Sequence, residues 1–239
     1  MHSENRQHSG NAAAATAPAS FPALHERHSA VGVKHLGLVE FQPTYAAMRQ
    51  FTTSRDADTQ DELWLLQHPP VYTAGLACRP EHLPRIQGIP LERVDRGGQI
   101  TYHGPGQVVM YTLLDLARRN LKIRALVALI EQAVIDTLAH HNVTAQRKSG
   151  APGVYVNGAK VAALGLRVRS GGCYHGVALN VDMDLAPFLA IDPCGYPGLA
   201  VTQTRDLGIE ATADELGEQL AAALTQLLAQ HDLSLLQNL

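Results

Sequence analysis

Two hydrophobic periods organise this chain. Leu126, Ile130, Ala133, Val134 and Leu138 recur three or four residues apart, which places them on one helical face and predicts a long helix over roughly Ile123 to His140. The same spacing returns in Leu216, Leu220, Leu224 and Leu227 or Leu228. Thr212-Ala213-Asp214-Glu215 ahead of it is a capping-box pattern, so a last helix is expected to open there and run to about His231. Tyr45, Met48 and Phe51 mark a shorter helix from about Pro43 to Ser54. Elsewhere the apolar residues come in short β-prone runs. Val31 to Val39, Leu63 to Leu66 (stopped by His68-Pro69-Pro70) and Val71 to Thr73 (ended at Gly75) read as strands, followed by a loop over 76–89. Further strands are expected at Leu91 to Val94, Ile100 to Tyr102, Gln107 to Leu114 and Cys173 to Val181, and Leu185 to Ile191 admits a short helix. Asn157-Gly158, between Val154-Tyr155-Val156 and Val161-Ala162-Ala163-Leu164, is a hairpin signal. About eight or nine strands and four helices without regular βα alternation predict an α+β (mixed α/β) fold, a mixed β-sheet flanked by helices.

Composition narrows the class. Hydrophobic residues make up 46% of the 239 and charged residues 17%, with a formal net charge of −3, which suits a packed core and argues against unspecific nucleic-acid binding. Residues 1–29, rich in Ala, His, Ser and Asn and without either period, read as a disordered leader; 30–239 is expected to form a single domain. Cys78, Cys173 and Cys194 are odd in number and form no C-x-x-C pair, so free thiols in a reducing compartment, the cytoplasm, are expected. No apolar run approaches the ~20 residues of a membrane span, and no membrane contact is expected. His140 and His141 are adjacent at a helix end and no Cys/His ligand spacing appears, so no metal site is expected.

Chemistry concentrates in two places. Arg96 to Tyr111 reads R-G-G-Q-I-T-Y-H-G-P-G-Q-V-V-M-Y, where four glycines and a proline let a ligand approach the main chain beside a cation, hydroxyls, an imidazole and an amide. Downstream, Lys160 follows the Asn157-Gly158 turn, and Cys194 sits in Asp192-Pro193-Cys194-Gly195-Tyr196-Pro197-Gly198, a bend that leaves a thiol accessible. A thiol becomes a nucleophile as the thiolate, so a base or cation beside it is needed near neutral pH; Lys160 could be that group. Plainer roles stay open: Lys160 as a solvated hairpin lysine, Cys194 as a small core residue, Arg96 as a surface ion-pairing group, and His103 as a hydrogen-bonded core histidine.

These segments, with Pro152-Gly153-Val154-Tyr155-Val156, Leu164-Gly165-Leu166-Arg167, His175-Gly176 and Ala178-Leu179-Asn180-Val181, resemble the octanoyltransferases, the lipoyl(octanoyl) transferases of the lipoate-protein ligase B family. The order and spacing hold over residues ~30 to ~230, and seven short motifs in register are far more specific than any one of them. The resemblance implies the biotin- and lipoate-protein-ligase type of fold and an octanoyl-[acyl-carrier-protein]:protein N-octanoyltransferase. It implies octanoyl-acyl carrier protein as donor and, as acceptors, the lipoyl domains of 2-oxoacid dehydrogenases and the glycine cleavage H protein. No cofactor is implied, and a monomer is expected. Residue by residue, it implies Cys194 and Lys160 as the catalytic pair. It implies a substrate site from Arg96, Gly97, Gly98, Gln99, Ile100, Thr101, Tyr102 and His103, with Ala163, Leu164, Gly165, Gly176, Val177 and Ala178 lining an acyl pocket.

The implied chemistry has two steps, both through an oxyanion: Cys194 takes the acyl group from a thioester, then an acceptor lysine displaces it as an amide. Amides near Gly104 to Gly106, or near Gly165 and Gly176 to Ala178, are the expected oxyanion donors, and Lys160 the proton carrier. An ATP-dependent lipoate or biotin protein ligase of the same fold and a non-catalytic acyl-binding module are the alternatives. The phosphate loop G-x-x-x-x-G-K-[ST] is absent, and a ligase that forms an acyl adenylate needs no nucleophilic thiol, so Cys194 favours the transferase.

Overall fold

The computed structural model describes residues 30–85, 87–192 and 198–237; the expected leader over 1–29 and the expected nucleophile Cys194 lie outside them. Among the described residues, ten strands form two sheets. β1 (Val31–Leu38), β2 (Asp61–Gln67), β6 (Gln107–Leu113), β7 (Gln146–Arg147), β8 (Val154–Val156), β9 (Ala159–Arg169) and β10 (Gly172–Asn180) make the larger, in the order β1-β2-β6-β10-β9-β8-β7. β3 (Val71–Ala74), β4 (Leu91–Arg93) and β5 (Ile100–His103) make the smaller, in the order β4-β3-β5. Both are mixed: β1 runs parallel to β2 and β4 to β3, and the remaining pairs are antiparallel.

Alternation along the central strands divides the core. Leu63 and Leu65 of β2 and Val108 and Met110 of β6 join one cluster with Leu126, Ile130 and Leu138 of α2 (Ile123–His140) and Leu216, Leu220 and Leu224 of α3 (Ala213–Leu236). Their neighbours Trp64, Leu66, Val109 and Tyr111 point to the opposite face, where Phe41, Tyr45 and Met48 of α1 (Phe41–Ser54) cover them. The period of two thus serves two hydrophobic layers, with helices on both faces of one sheet. The smaller sheet packs Tyr72, Ile100 and Tyr102 against Met183, Phe188 and Ile191.

The expected capping box opens α3: Thr212 Oγ1 accepts from the Glu215 amide at 3.3 Å and Glu215 Oε2 from the Thr212 amide at 2.8 Å. At the hairpin, Asn157 (φ 49°) and Gly158 (φ 84°) both adopt the positive φ of the tight turn joining β8 to β9. Two elements differ from expectation in extent or type, and one strand was not expected. α3 continues past His231 to Leu236, the expected short helix is a 3₁₀ segment over Ala186–Ala190, and the two-residue edge strand β7 is too short to leave a hydrophobic pattern.

Candidate active site

A cavity of about 340 Å³ opens where β5, β6, β9 and β10 meet the start of α2. Its volume lies in the range of roughly 300–1,000 Å³ typical of small-molecule sites. Arg96, Gly97, Gly98, Gln99, Ile100, Thr101 and His103 line it from one side, and Ala163, Leu164, Gly165, Gly176, Val177 and Ala178 from another, so two separated motifs meet at one surface. The mouth adds Ile123 and Val127 of α2 and the Gly150-Ala151-Pro152 loop, and most of the lining is apolar. Tyr102, expected among them, turns the other way. Alternation along β5 sends its ring to Tyr72 and Phe188, with centroids 5.6 and 5.5 Å away.

Arg96 holds the frame of the loop. Its guanidinium donates to the carbonyls of Thr73 (2.6 Å), Gln99 (2.9 Å) and Gly97 (3.0 Å) and to Thr73 Oγ1 (2.9 Å), so a buried cation stitches residues 96–99 onto β3. It is no surface ion-pairing group. Gly75 makes this possible: a Cβ there would lie 2.4 Å from Gly98 O and 2.8 Å from Arg96 Nη1.

Three histidines and a carboxylate underlie the cavity. His68 Nδ1 lies 2.7 Å from Val39 O and must donate, which leaves Nε2 to accept from Tyr111 Oη at 2.7 Å. His103 Nδ1 donates to Gln107 Oε1 at 2.7 Å, since the Gln107 amide nitrogen donates to Tyr102 O and Asn180 Oδ1. Burial pulls His68 down to about 4 and His103 to about 3, the latter helped by His68 and Arg96. His103 is therefore a neutral, oriented imidazole and a poor base at pH 7. His175 adopts φ 63° inside β10, a left-handed conformation that costs about 1–3 kcal/mol, and its Nε2 lies 3.3 Å from Asp95 Oδ1. Burial alone would raise the Asp95 carboxyl, yet hydrogen bonds from His175, Tyr174 and Tyr45 hold it well below the usual carboxylate range.

Lys160 departs from the expectation of an exposed turn residue. Only 3% exposed, it donates from Nζ to Pro152 O at 3.0 Å and lies over the Tyr155 ring, 5.1 Å from the centroid. The register of β9 carries the reason: Tyr155 pairs with Lys160 across the hairpin, so the side chain that follows the turn points inward. Of the expected oxyanion donors, the Gly106 amide is committed to Gln67 Oε1 at 2.7 Å. The strand ladders hold Gly165 and Gly176 as register partners. Among the described residues no group of three or more His, Cys, Asp or Glu side chains could hold a metal ion.

His68, Thr73 and Asp95 were not expected at the site. Asp95 stands directly before Arg96 in the sequence, a charged neighbour to the glycine run, whereas His68 looked only like the end of a strand. With this geometry in hand, the chain matches the family described as the lipoyl protein ligase A/B catalytic domain over residues 42–225. The chain belongs to that family. It is similar to an octanoyltransferase of Dechloromonas aromatica, 63% identical over 198 residues that cover 83% of this chain and 97% of that one. An octanoyltransferase of Aromatoleum aromaticum is 61% identical over 211 residues, 88% of each chain. Within the family the chain is thus an acyltransferase of the octanoyltransferase kind, acting in protein lipoylation. Among solved structures, lipoate-protein ligase A bound with ATP superposes with a TM-score of 0.68 at 15% identity, covering 83% of this chain and 85% of that one. A biotin protein ligase from Aquifex aeolicus superposes with a TM-score of 0.52 at 11% identity, covering 84% and 70%. These likenesses are of fold, and they place the two mixed sheets in the lipoate- and biotin-protein-ligase type.

Proposed function

We propose that this chain moves an octanoyl group from acyl carrier protein to a lysine of lipoyl domains, those of 2-oxoacid dehydrogenases and the glycine cleavage H protein, through a thioester on Cys194. The buried Lys160, its Nζ bonded to the carbonyl of Pro152 where Pro152 lines an apolar cavity, is the observation that carries the reading. Cys194 Sγ attacks the donor carbonyl, the C–S bond to the carrier breaks, and the carrier thiol leaves with a proton. The acceptor amine then attacks the enzyme thioester, an amide forms, and Cys194 regains its proton. Lys160 carries the proton in both steps.

Chain geometry supports the pairing of the two residues. The Lys160 amide donates to Ala200 O at 2.8 Å and its carbonyl accepts from the Thr202 amide at 3.0 Å. Ala200 follows Cys194 by only six residues, a reach of at most about 20 Å. On the other flank, Asp192 is held by His82 (3.2 Å) and Arg85 (2.9 Å). The odd cysteine count without a C-x-x-C pair supports a cytoplasmic setting for the free thiol.

Intact mass after incubation with an octanoyl thioester, without acceptor or nucleotide, tests the proposal. One octanoyl mass on the peptide that holds Cys194, released by hydroxylamine and absent from Cys194→Ala, is the expected result. Full transfer by Cys194→Ala would overturn the covalent route, and strict dependence on ATP would favour the ligase reading.

A further inference from the structure

Glu131 belongs to none of the groups assigned so far. It lies on α2 in line with Val127, Val134 and Leu138, a position where helical spacing calls for an apolar side chain, and it is 7% exposed. A carboxylate kept there must be compensated. Its Oε1 accepts from the Gly153 amide at 2.9 Å, and its Oε2 lies 3.2 Å from Arg147 Nε. The Gly153 N–H and the Pro152 C=O are the two ends of a single planar peptide group and point in opposite directions. Glu131 holds one end and Lys160 Nζ the other, at 3.0 Å.

We propose that Glu131 is a positioning residue for Lys160, acting through the Pro152–Gly153 peptide; this rests on the reading of Lys160 as the proton carrier. A carboxylate at the N–H end fixes the plane of the peptide and strengthens its carbonyl as an acceptor. One N–H of Lys160 is then committed to Pro152, which fixes where the nitrogen sits. Gly153 completes the device. Its φ of 136° suits glycine, and a Cβ there would lie 3.0 Å from Lys160 Cε and 2.8 Å from Ala162 O, so the peptide and the lysine pack directly on each other. Tyr155 adds a second anchor, its hydroxyl donating to Ala151 O at 3.0 Å under the same loop. Arg147 balances the charge of Glu131.

The test is a double-mutant cycle read by single-turnover acylation from an octanoyl thioester, with thermal unfolding measured on every variant. Glu131→Gln keeps an oxygen for the Gly153 amide and is expected to acylate within about 3-fold of the parent. Glu131→Ala frees the peptide and should slow the maximal acylation rate by up to about 10²-fold, the scale of a misplaced catalytic group, with donor KM little changed. In a Lys160→Ala background, Glu131→Ala should add nothing. Equal losses in Glu131→Gln and Glu131→Ala, a full loss on top of Lys160→Ala, or a parent-like rate in Glu131→Ala would overturn the proposal. Parent-like acylation by Lys160→Ala itself would instead overturn the role of Lys160.

Discussion

Gly165 and Gly176 stand opposite each other across β9 and β10, and neither position has room for a methyl group. A Cβ on Gly176 would come within 2.0 Å of Met110 O, which is backbone and cannot yield without moving β6. On Gly165 the nearest atom is Arg96 Cδ at 2.8 Å, followed by Gly97 O at 3.2 Å. The two alanine variants should therefore fail differently. Gly176→Ala is expected to lose at least the ~1–3 kcal/mol of an overpacked core and to express poorly. Gly165→Ala should stay folded while Arg96 and the 96–99 loop shift into the cavity, lowering the acylation rate about 10-fold or more. Melting temperatures and acylation rates separate the cases, and a parent-like rate in Gly165→Ala would show that the loop yields without cost.

The buried imidazoles make stability depend on acid. His103 is held near 3 and His68 near 4, chiefly by burial, against an ordinary value near 6.5. Both folded values are depressed, so the folded state binds fewer protons than the unfolded chain between these limits. Their contribution to stability is complete above about pH 6.5 and is lost as the pH falls toward 4 and 3. A proton on His103 Nε2 would also face Thr73 Oγ1, 3.4 Å away, which already accepts from Arg96. In His103→Gln the slope of unfolding free energy between pH 6 and 4.5 should flatten by up to about 1.4 kcal/mol per pH unit, one proton's worth. Denaturant titrations at several pH values give that slope; an unchanged one would mean that His103 is not buried neutral.

How far such a site can be read from sequence depends on whether its residues share a segment. The glycine run from Arg96 to His103 and the pair Gly165 and Gly176 could be singled out because local backbone demands mark them, and all except Tyr102 among residues 96–103 line the cavity. Tyr102 was misplaced because a motif gives residue types without the side on which a strand turns each one. Lys160 looked exposed because turn chemistry is local, whereas its burial comes from β9 lying between β8 and β10. His68 reaches the site through Tyr111, and Asp95 through His175 eighty residues away, partnerships that no short-range pattern carries. Glu131 did leave a trace, an acid in the apolar stripe of α2. The helices and every strand but β7 were legible because the periods of 3.6 and 2 are local, while the parallel pairing of β1 with β2 is not.

Away from the cavity, Asp61 gathers three arginines. Fully buried on β2, it accepts from Arg55, from Arg118 Nη2 at 2.7 Å and from Arg119 Nε at 2.6 Å, and Arg119 continues to Asp232 of α3 at 2.5 Å. The network joins α1, β2, the turn before α2 and the end of α3. Asp61→Asn preserves shape and removes the charge, leaving these guanidinium groups poorly compensated. A loss of roughly 3–5 kcal/mol is expected, as for other broken buried ion pairs. None of these residues lines the cavity, so activity per folded molecule should stay within about 2-fold of the parent. Chemical unfolding and active-site titration measure the two quantities separately; a variant as stable as the parent would show that the cluster contributes specificity of fold without net stability.

Thiol reactivity gives the last test. Cys173 is fully buried within β10, with Thr112 Oγ1 3.8 Å from its sulfur, and burial pushes its thiol up to about 12, aided by the charge of Asp61. At pH 7.5 its thiolate is then on the order of one part in 10⁴ to 10⁵, and reagent has no path to it. Cys78 is half-buried, and burial raises its thiol as well, against the opposing charges of Arg93 and Arg96. Neither has the makings of an acyl carrier. Iodoacetamide at neutral pH should therefore label Cys194 first, Cys78 slowly and Cys173 only after unfolding. Pre-incubation with an octanoyl thioester should block the first of these labels and leave the second unchanged, and Cys78→Ser and Cys173→Ser should acylate like the parent. Rapid labelling of Cys173 in the folded protein would contradict its buried environment, and octanoyl protection of Cys78 in place of Cys194 would move the acyl-enzyme to a different thiol.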